Sequence, residues 1–463
     1  MPPDSPYVEP RPGALIETQE ARLMPYSNQI LSKVKGPSVL RRRYLAEPGC
    51  KSKEARMLMF RLMLRCGSRF ASVALILAII LIGAMLRVPA AAIEKPGQPG
   101  VMSANVAPDG LVAVLTTEDL SNPSWRRAVK NPSISGVALQ IRWSDIEQVQ
   151  GKPDWTKLDD VFDAAHASGK WVQLLVFPGF FSPAWALASG SDGTPKTDIF
   201  PVQYGPEHNT PLPLPMPWDT VYLKRWYKFL EELSDKYGTS PAFKVMACSG
   251  PTSVSAEFTL PSTPKDVKQW QADGYTPDKW VDAWQKTFKA CNTDFPNQFV
   301  SLSFGAGLPI NNQGKIDQSE RQGTKQTIID EGMKALGHRF ALQYSNLDGT
   351  TDPQVQGTQY LINTYAGSII TGLQLRTSAA NTGMGADGNP PLALQLALNK
   401  GLALNSAGAH VNFLEIYARD VLAKDMQSVL INGASLIANG HPGPTPRMLP
   451  SRDGNGKPPI QPT

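Results

Sequence analysis

Two carboxylates stand where a side chain could do chemistry. Glu257 closes the stretch CSGPTSVSAE, Cys248 to Glu257, which follows the apolar run FKVMA and otherwise holds small residues and hydroxyls. Glu415 sits inside VNFLEIYARD, a near-continuous apolar run where a charge is costly to bury unless paired or used. Two carboxylic acids suffice to cleave a glycosidic bond, one protonating the leaving oxygen and the other acting as nucleophile or activating water. Further acids lie near expected strand ends: Asp145 and Glu147 in IRWSDIEQVQG, and Asp348 in YSNLDG. Of these, Glu147 reads as a residue that shapes its own loop.

Other chemistries have little to draw on. His166 falls within a helical pattern, His338 and His410 precede apolar runs, and His441 lies in a Pro-rich end. Only His208 is left for a hydrolase of another kind, and there is no G-x-S-x-G elbow. No metal-type Cys or His spacing, phosphate loop or dinucleotide fingerprint is present, so neither metal nor cofactor is expected. Charge excludes a nucleic-acid partner in the same way. Residues 1–92 carry 14 Lys or Arg against 6 Asp or Glu, so of the 45 basic and 40 acidic residues in the chain, 31 and 34 follow residue 92. The basicity belongs to the leader.

The elements that would hold the two carboxylates are legible as repeats. Eight short apolar, β-rich runs occur at 111–116, 137–143, 171–177, 243–249, 299–304, 340–345, 369–375 and 411–417. Amphipathic helical patterns lie between them. In 155–170, Leu158, Val161, Phe162 and Ala165 share one face; in 221–238, Trp226, Phe229, Leu230 and Leu233 do; 278–292 repeats the pattern. Eight βα units over this length predict a (β/α)8 barrel, with an open doubly wound sheet as the alternative. A barrel places its active site at the C-terminal ends of the strands, which puts Glu257 after strand four and Glu415 near the end of strand eight. The same geometry sets Cys248 at the top of strand four and Cys291 at the far end of the next helix, so both are expected to be free thiols.

The stretch after strand three, from 178 to about 217, is long and carries Phe180, Phe181, Trp185 and Tyr204 among Pro, Gly and polar residues, with Trp218 at its close. Its rings could stack on sugar faces or cap the barrel by packing on neighbouring loops. The candidate substrate contacts are Trp143 at the end of strand two, Phe181 and Trp185 in this loop, Trp218 at its close, and Gln374 on strand seven.

GVALQIRWSDIEQVQGKPDWTKLDDVFDAAHASGKWVQLLVFPGFFSPAWAL resembles the second and third βα units of barrel glycoside hydrolases of the β-galactosidase and cellulase-like superfamily. MPWDTVYLKRWYKFLEELSDKYG is similar to their helix before strand four, and the match runs over roughly 136–261. The resemblance implies a barrel acting on an oligo- or polysaccharide, with an acid/base Glu just after strand four and a nucleophilic Glu ending strand seven. The chain departs at both places. Glu257 comes eight residues past Ser249 with no Asn-Glu pair, and GLQLRTSA carries Gln374 where the nucleophile belongs. Glu415 is the nearest substitute by position. Two functions are therefore expected: a glycoside hydrolase working through Glu257 and Glu415, or a non-catalytic carbohydrate-binding barrel.

The N-terminus reads as an export signal. MLMFRLMLRCGSRF supplies basic residues, Ala71 to Leu86 form 16 uncharged residues, and RVPAAA offers an A-x-A-like site at Ala90–Ala92. A retained anchor through 71–86 is the alternative, since this run is near the lower limit for spanning a bilayer. The expected organisation is a polar extension at 1–56, a signal or anchor at 57–92, a linker at 93–110, the barrel at 111–438 and a Pro-rich disordered tail at 439–463. The barrel would be secreted or periplasmic, or tethered to the membrane; the sequence leaves its oligomeric state open.

Overall fold

The computed structural model describes residues 106–440 apart from 191–192, 194–195, 205–207, 251–256 and 351–357. The leader with its apolar run, Cys50, Cys66 and the Pro-rich tail lie outside the described residues. Among the described residues no helix is long and apolar enough to cross a membrane.

All eight apolar runs are strands: β1 (Gly110–Thr116), β2 (Ile134–Arg142), β3 (Trp171–Phe177), β4 (Phe243–Ala247), β5 (Phe299–Phe304), β6 (Phe340–Leu347), β7 (Ile370–Leu375) and β8 (Phe413–Tyr417). Each pairs in parallel with its neighbours, β8 returns to β1, and β4 pairs with β5, so the sheet closes on itself as a (β/α)8 barrel. Closure excludes the open doubly wound sheet. The barrel helices are α1 (Trp125–Val129), α2 (Thr156–Ala167), α3 (Thr220–Tyr237), α4 (Pro277–Asp294), α5 (Glu320–Leu336), α6 (Thr358–Tyr365), α7 (Pro390–Gly401) and α8 (Gln427–Gly440). The apolar faces expected on α2 and α3 are the ones buried against the barrel.

The lower barrel is plugged by rings. Trp171 and Phe413 meet edge to face at 5.8 Å inside the strand ring. Two glycines make the space: a Cβ on Gly136 would lie 2.4 Å from the Trp171 ring, and one on Gly372 would lie 2.2 Å from Phe413. The expected placement of His410 ahead of its strand holds, and it is buried beside the start of β8.

Two expectations change. The 178–217 stretch has structure of its own, with a 3-10 turn at Gly179–Phe181, a short helix at Ala184–Leu187 and an antiparallel hairpin whose arms are Ile199–Tyr204 and His208–Pro215. Phe200 stacks on Trp270 at 3.6 Å and fixes one hairpin arm to a helix at Pro264–Ala272.

The free thiols are also corrected: Cys248 and Cys291 form a disulfide, with Cα atoms 6.1 Å apart. Assigning the two cysteines to opposite rims overlooked where α4 starts. The helix begins high, with Trp280 and Trp284 beside Phe258. At 1.5 Å per residue it has descended only to the end of the short β4 by Cys291. Closing a loop over a sequence separation of 43 stabilises the fold by about 4 kcal/mol in the chain-entropy view.

The close approach at Gly372 is testable. Gly372→Ala drives a methyl into the Phe413 ring and should cost about 1–3 kcal/mol. Gly323→Ala on α5, where a Cβ meets nothing nearer than a Glu320 carboxylate oxygen at 3.8 Å, should stabilise by up to about 1 kcal/mol. Urea midpoints of the two variants check the contrast; equal shifts would contradict the close packing at Gly372.

Candidate functional site

Glu257 reaches the mouth by an interrupted strand. β4 ends at Ala247, opposite Ser301 of β5. After 251–256 the chain re-enters as a two-residue strand, Glu257–Phe258, with Glu257 opposite Ser303 and Phe258 opposite Phe304. It thus continues the line of β4 two residues higher along β5. Phe258 is fully buried against Trp280 and Trp284 of α4. Ser303, opposite Glu257 in register, has its hydroxyl 2.9 Å from that of Ser345 on β6. The side chains of Glu257 and His208 lie outside the described residues.

Glu415 lies in the barrel interior, with no exposed surface. Its Oε1 accepts from Gln343 Nε2 at 2.7 Å, and Gln343 Oε1 accepts from Gln173 Nε2 at 2.7 Å. Gln173 Nε2 also approaches Ser301 Oγ at 3.4 Å. Among the described residues Glu415 Oε2 has no hydrogen-bond partner. Burial pushes the Glu415 carboxyl up to about 8, against the opposing effect of the Gln343 hydrogen bond, so it is neutral at pH 7.

Gln374, on β7, is opposite Glu415 in register and nearly buried. Its Oε1 accepts from Gln140 Nε2 at 2.9 Å, and its Nε2 donates to the Tyr417 hydroxyl at 3.1 Å. This amide and phenol layer brings together the ends of β2, β7 and β8. Two arginines stand at the strand ends and both are ion-paired. Arg142 meets Glu118 at 3.2 Å and lies 5.0 Å above the Phe181 ring, while Arg376 meets Asp348 at 3.5 Å and donates to the Gly383 carbonyl.

The candidate aromatics divide. Phe181, half-buried, stays beside Arg142 and the Phe177 ring at the mouth. Trp143 does not: it has no exposed surface, and it packs on Trp185, Trp226 and Phe229 while donating to Glu147 Oε2 at 3.0 Å. No face of Trp143 is left for a sugar. Trp185 is half-buried and donates to the Glu147 carbonyl at 2.9 Å. Trp218 packs on Trp270 and Tyr275, with the Lys279 ammonium 5.6 Å above its ring. Glu147 accepts from Gly151 N as well as Trp143, which is the loop-shaping part expected of it. Its burial outweighs those hydrogen bonds and raises its pKa.

Sequence reasoning passed over Gln140, Ser303, Ser345 and Tyr417 as mouth groups, and Asp420 as a rim carboxylate. Asp420 is fully buried, accepts from Ser378 Oγ at 2.7 Å and Ala379 N at 2.8 Å, and so ties the loop after β7 to the one after β8. A period-2 count from Glu415 would have found Tyr417 on the same inner face.

No protein-family model matches the chain, and no curated protein matches it. Among solved structures it aligns with a β-galactosidase from Halorubrum lacusprofundi at 11% identity, over 71% of this chain and 58% of that one, with a TM-score of 0.42. A GH5_18 structure from Streptomyces cattleya in complex with GlcNAc gives 12%, 73%, 82% and 0.45 in the same order. Xylanase XynB from Paenibacillus barcinonensis gives 11%, 70%, 88% and 0.40. The chain spans less than three fifths of the length of the haloarchaeal enzyme it aligns with.

The state of Glu415 has a pH signature. A carboxyl held up to about 8 in the fold and near 4.5 when unfolded keeps its proton longer in the folded state. Its contribution is therefore full below pH 4.5, falls as pH rises and levels off above about 8. Glu415→Gln should match the parent in stability near pH 5 and lack that decline. Denaturation midpoints from pH 5 to 9 check this; parallel curves for the two proteins would show Glu415 to be ionised throughout.

Proposed function

We propose that the chain is a carbohydrate-binding (β/α)8 barrel, taking an oligo- or polysaccharide at the mouth formed by the C-terminal ends of its strands, without a working pair of carboxylates. One observation carries this: the strand-seven position holds Gln374, hydrogen-bonded through both ends of its amide, while Glu415, opposite it in register, is sealed inside the barrel. Uncharged amides and hydroxyls from Gln140, Gln374, Tyr417, Ser303 and Ser345, together with the Phe181 ring beside Arg142 and Phe177, suit a hydroxyl-rich ligand more than a charged one. The sequence resemblance over 136–261 points to the same ligand class.

A second reading, glycoside hydrolysis with Glu257 as acid/base, is favoured by the register that sets Glu257 opposite Ser303 at the end of the strand-four line. In that reading Glu415 supplies the second carboxylate only if the mouth opens to it. Export fits both readings, because a disulfide in the barrel suits an oxidising compartment. The apolar run 71–86 would direct that export, or would tether the barrel if uncleaved.

The readings separate on the fragment 93–463 offered cellohexaose, xylohexaose and mannohexaose. Binding by calorimetry with no reducing ends released is expected, with Phe181→Ala weakening binding by about tenfold and Glu415→Gln leaving it unchanged. Release of reducing ends that Glu257→Gln abolishes would establish the hydrolase instead.

A further inference from the structure

The ring of barrel helices is charged in one part and almost uncharged in another. α3 carries seven Lys, Arg, Asp or Glu residues in 18 and α4 carries six in 18, as a helix with one face in water does. α7 and α8 carry a single charge between them, Lys400 in the last turn of α7. The same two helices collect exposed apolar side chains. Of the seven large hydrophobics exposed among the described residues, Leu392 on α7, Leu404 just past its end, and Ile431 and Leu436 on α8 make four, at 41% to 57% exposure. The core does not need them: α8 already seats Leu430 and Ile437 inward with almost no exposed surface. The two helices form one surface, since a Cβ on Gly433 of α8 would lie 2.8 Å from Leu398 of α7. The polar residues set among the apolar ones include Gln395, Asn399 and Asn432, all exposed.

We propose that the α7 and α8 face is a docking surface for a second copy of this chain, related to the first by a two-fold axis. A two-fold contact sets a patch against itself, so any charge near its axis meets its own kind. A face with no charge but Lys400 at one end meets that constraint, and amides such as Gln395, Asn399 and Asn432 suit it because each can donate to and accept from its own copy. A lipid surface fits less well. A helix that lies on a membrane flanks its apolar face with Lys or Arg and sinks aromatic rings, whereas α7 and α8 contain no aromatic residue. Helices of 12 and 14 residues side by side offer a face of about 20 by 20 Å, roughly 400 Å² per copy. That is about half of what each partner buries in a stable complex of ordinary size. The dimer is therefore one that dissociates on dilution, with a Kd on the order of 10 μM or weaker. None of this depends on which ligand the mouth takes.

Sedimentation velocity on the fragment 93–463, from about 1 to about 500 μM so as to bracket that Kd, tests the proposal. The weight-average mass should climb from one chain towards two. Ile431→Glu and, separately, Leu436→Glu place a carboxylate against its own copy and should weaken association at least tenfold while the thermal midpoint stays that of the parent. Val149→Glu makes the same change at an apolar side chain that is 56% exposed but lies outside the face, and it should associate as the parent does. A parent that stays a single chain throughout, association that survives both face variants, or an equal loss in Val149→Glu would each overturn the proposal. Two further outcomes would name another occupant in its place. Association that appears only once 441–463 is removed would assign the face to the chain's own end. Flotation with phosphatidylcholine and phosphatidylglycerol vesicles, abolished by Ile431→Glu and without self-association, would assign it to lipid.

Discussion

A closed ring of eight strands leaves an interior that side chains fill completely, so a polar group placed there must be satisfied by its neighbours. Gln173 on β3, Gln343 on β6 and Glu415 on β8 meet this demand in part by passing hydrogen bonds across the ring, with Gln173 Oε1 and Glu415 Oε2 left without a partner among the described residues. Gln343 can donate to Glu415 while accepting from Gln173, and an ionised Glu415 would need donors that the barrel wall does not supply. A neutral carboxyl is the state this chain of amides accommodates, and burial provides it. The interaction links strands far apart in sequence and sets the height at which the apolar lower barrel gives way to the polar upper half.

Above that chain the mouth is built by pairs rather than by single reactive groups. Gln140, Gln374 and Tyr417 occupy one another, and each arginine at the strand ends has its own carboxylate. Such pairing rigidifies the rim and lowers its net charge, so the groups it presents are rings and neutral hydrogen-bonding atoms. The tryptophans follow the same division. Trp143, Trp185, Trp226 and Phe229 pack around Glu147 and build the wall between β2 and α3, leaving Phe181 to face the strand ends.

Strands and helices were legible because burial on both faces of a parallel barrel writes itself as apolar runs of five to nine residues, and helix faces as 3.6-residue periods. Residues such as Leu158, Val161, Phe162 and Ala165 could be assigned to a buried face from spacing alone. Height was not legible. Whether an inward residue lies at the floor or the rim depends on strand stagger, which no local pattern records, and so Glu415 reads as a rim acid while lying deep inside. Trp143 misleads for a related reason: it follows the last residue of β2, but the chain turns into a short helix there and carries the ring outward into the core. The disulfide depended on where α4 begins relative to the rim and on how early β4 ends, at Ala247.

Stagger also explains why a carboxylate on strand eight does not replace one on strand seven. Gln374 and Glu415 are opposite each other in register and share the inner face. Strands of such a barrel tilt by about 36° to its axis. A step of about 4.8 Å to the neighbouring strand therefore shifts a residue by about 3 Å along the axis. That is close to one strand residue. Gln374 consequently joins the layer of Gln140 and Tyr417, and Glu415 joins the layer of Gln173 and Gln343 beneath it. Moving the acid one strand sideways lowered it by a layer, and in a filled barrel one layer separates a group that a ligand can meet from one that only the fold can use.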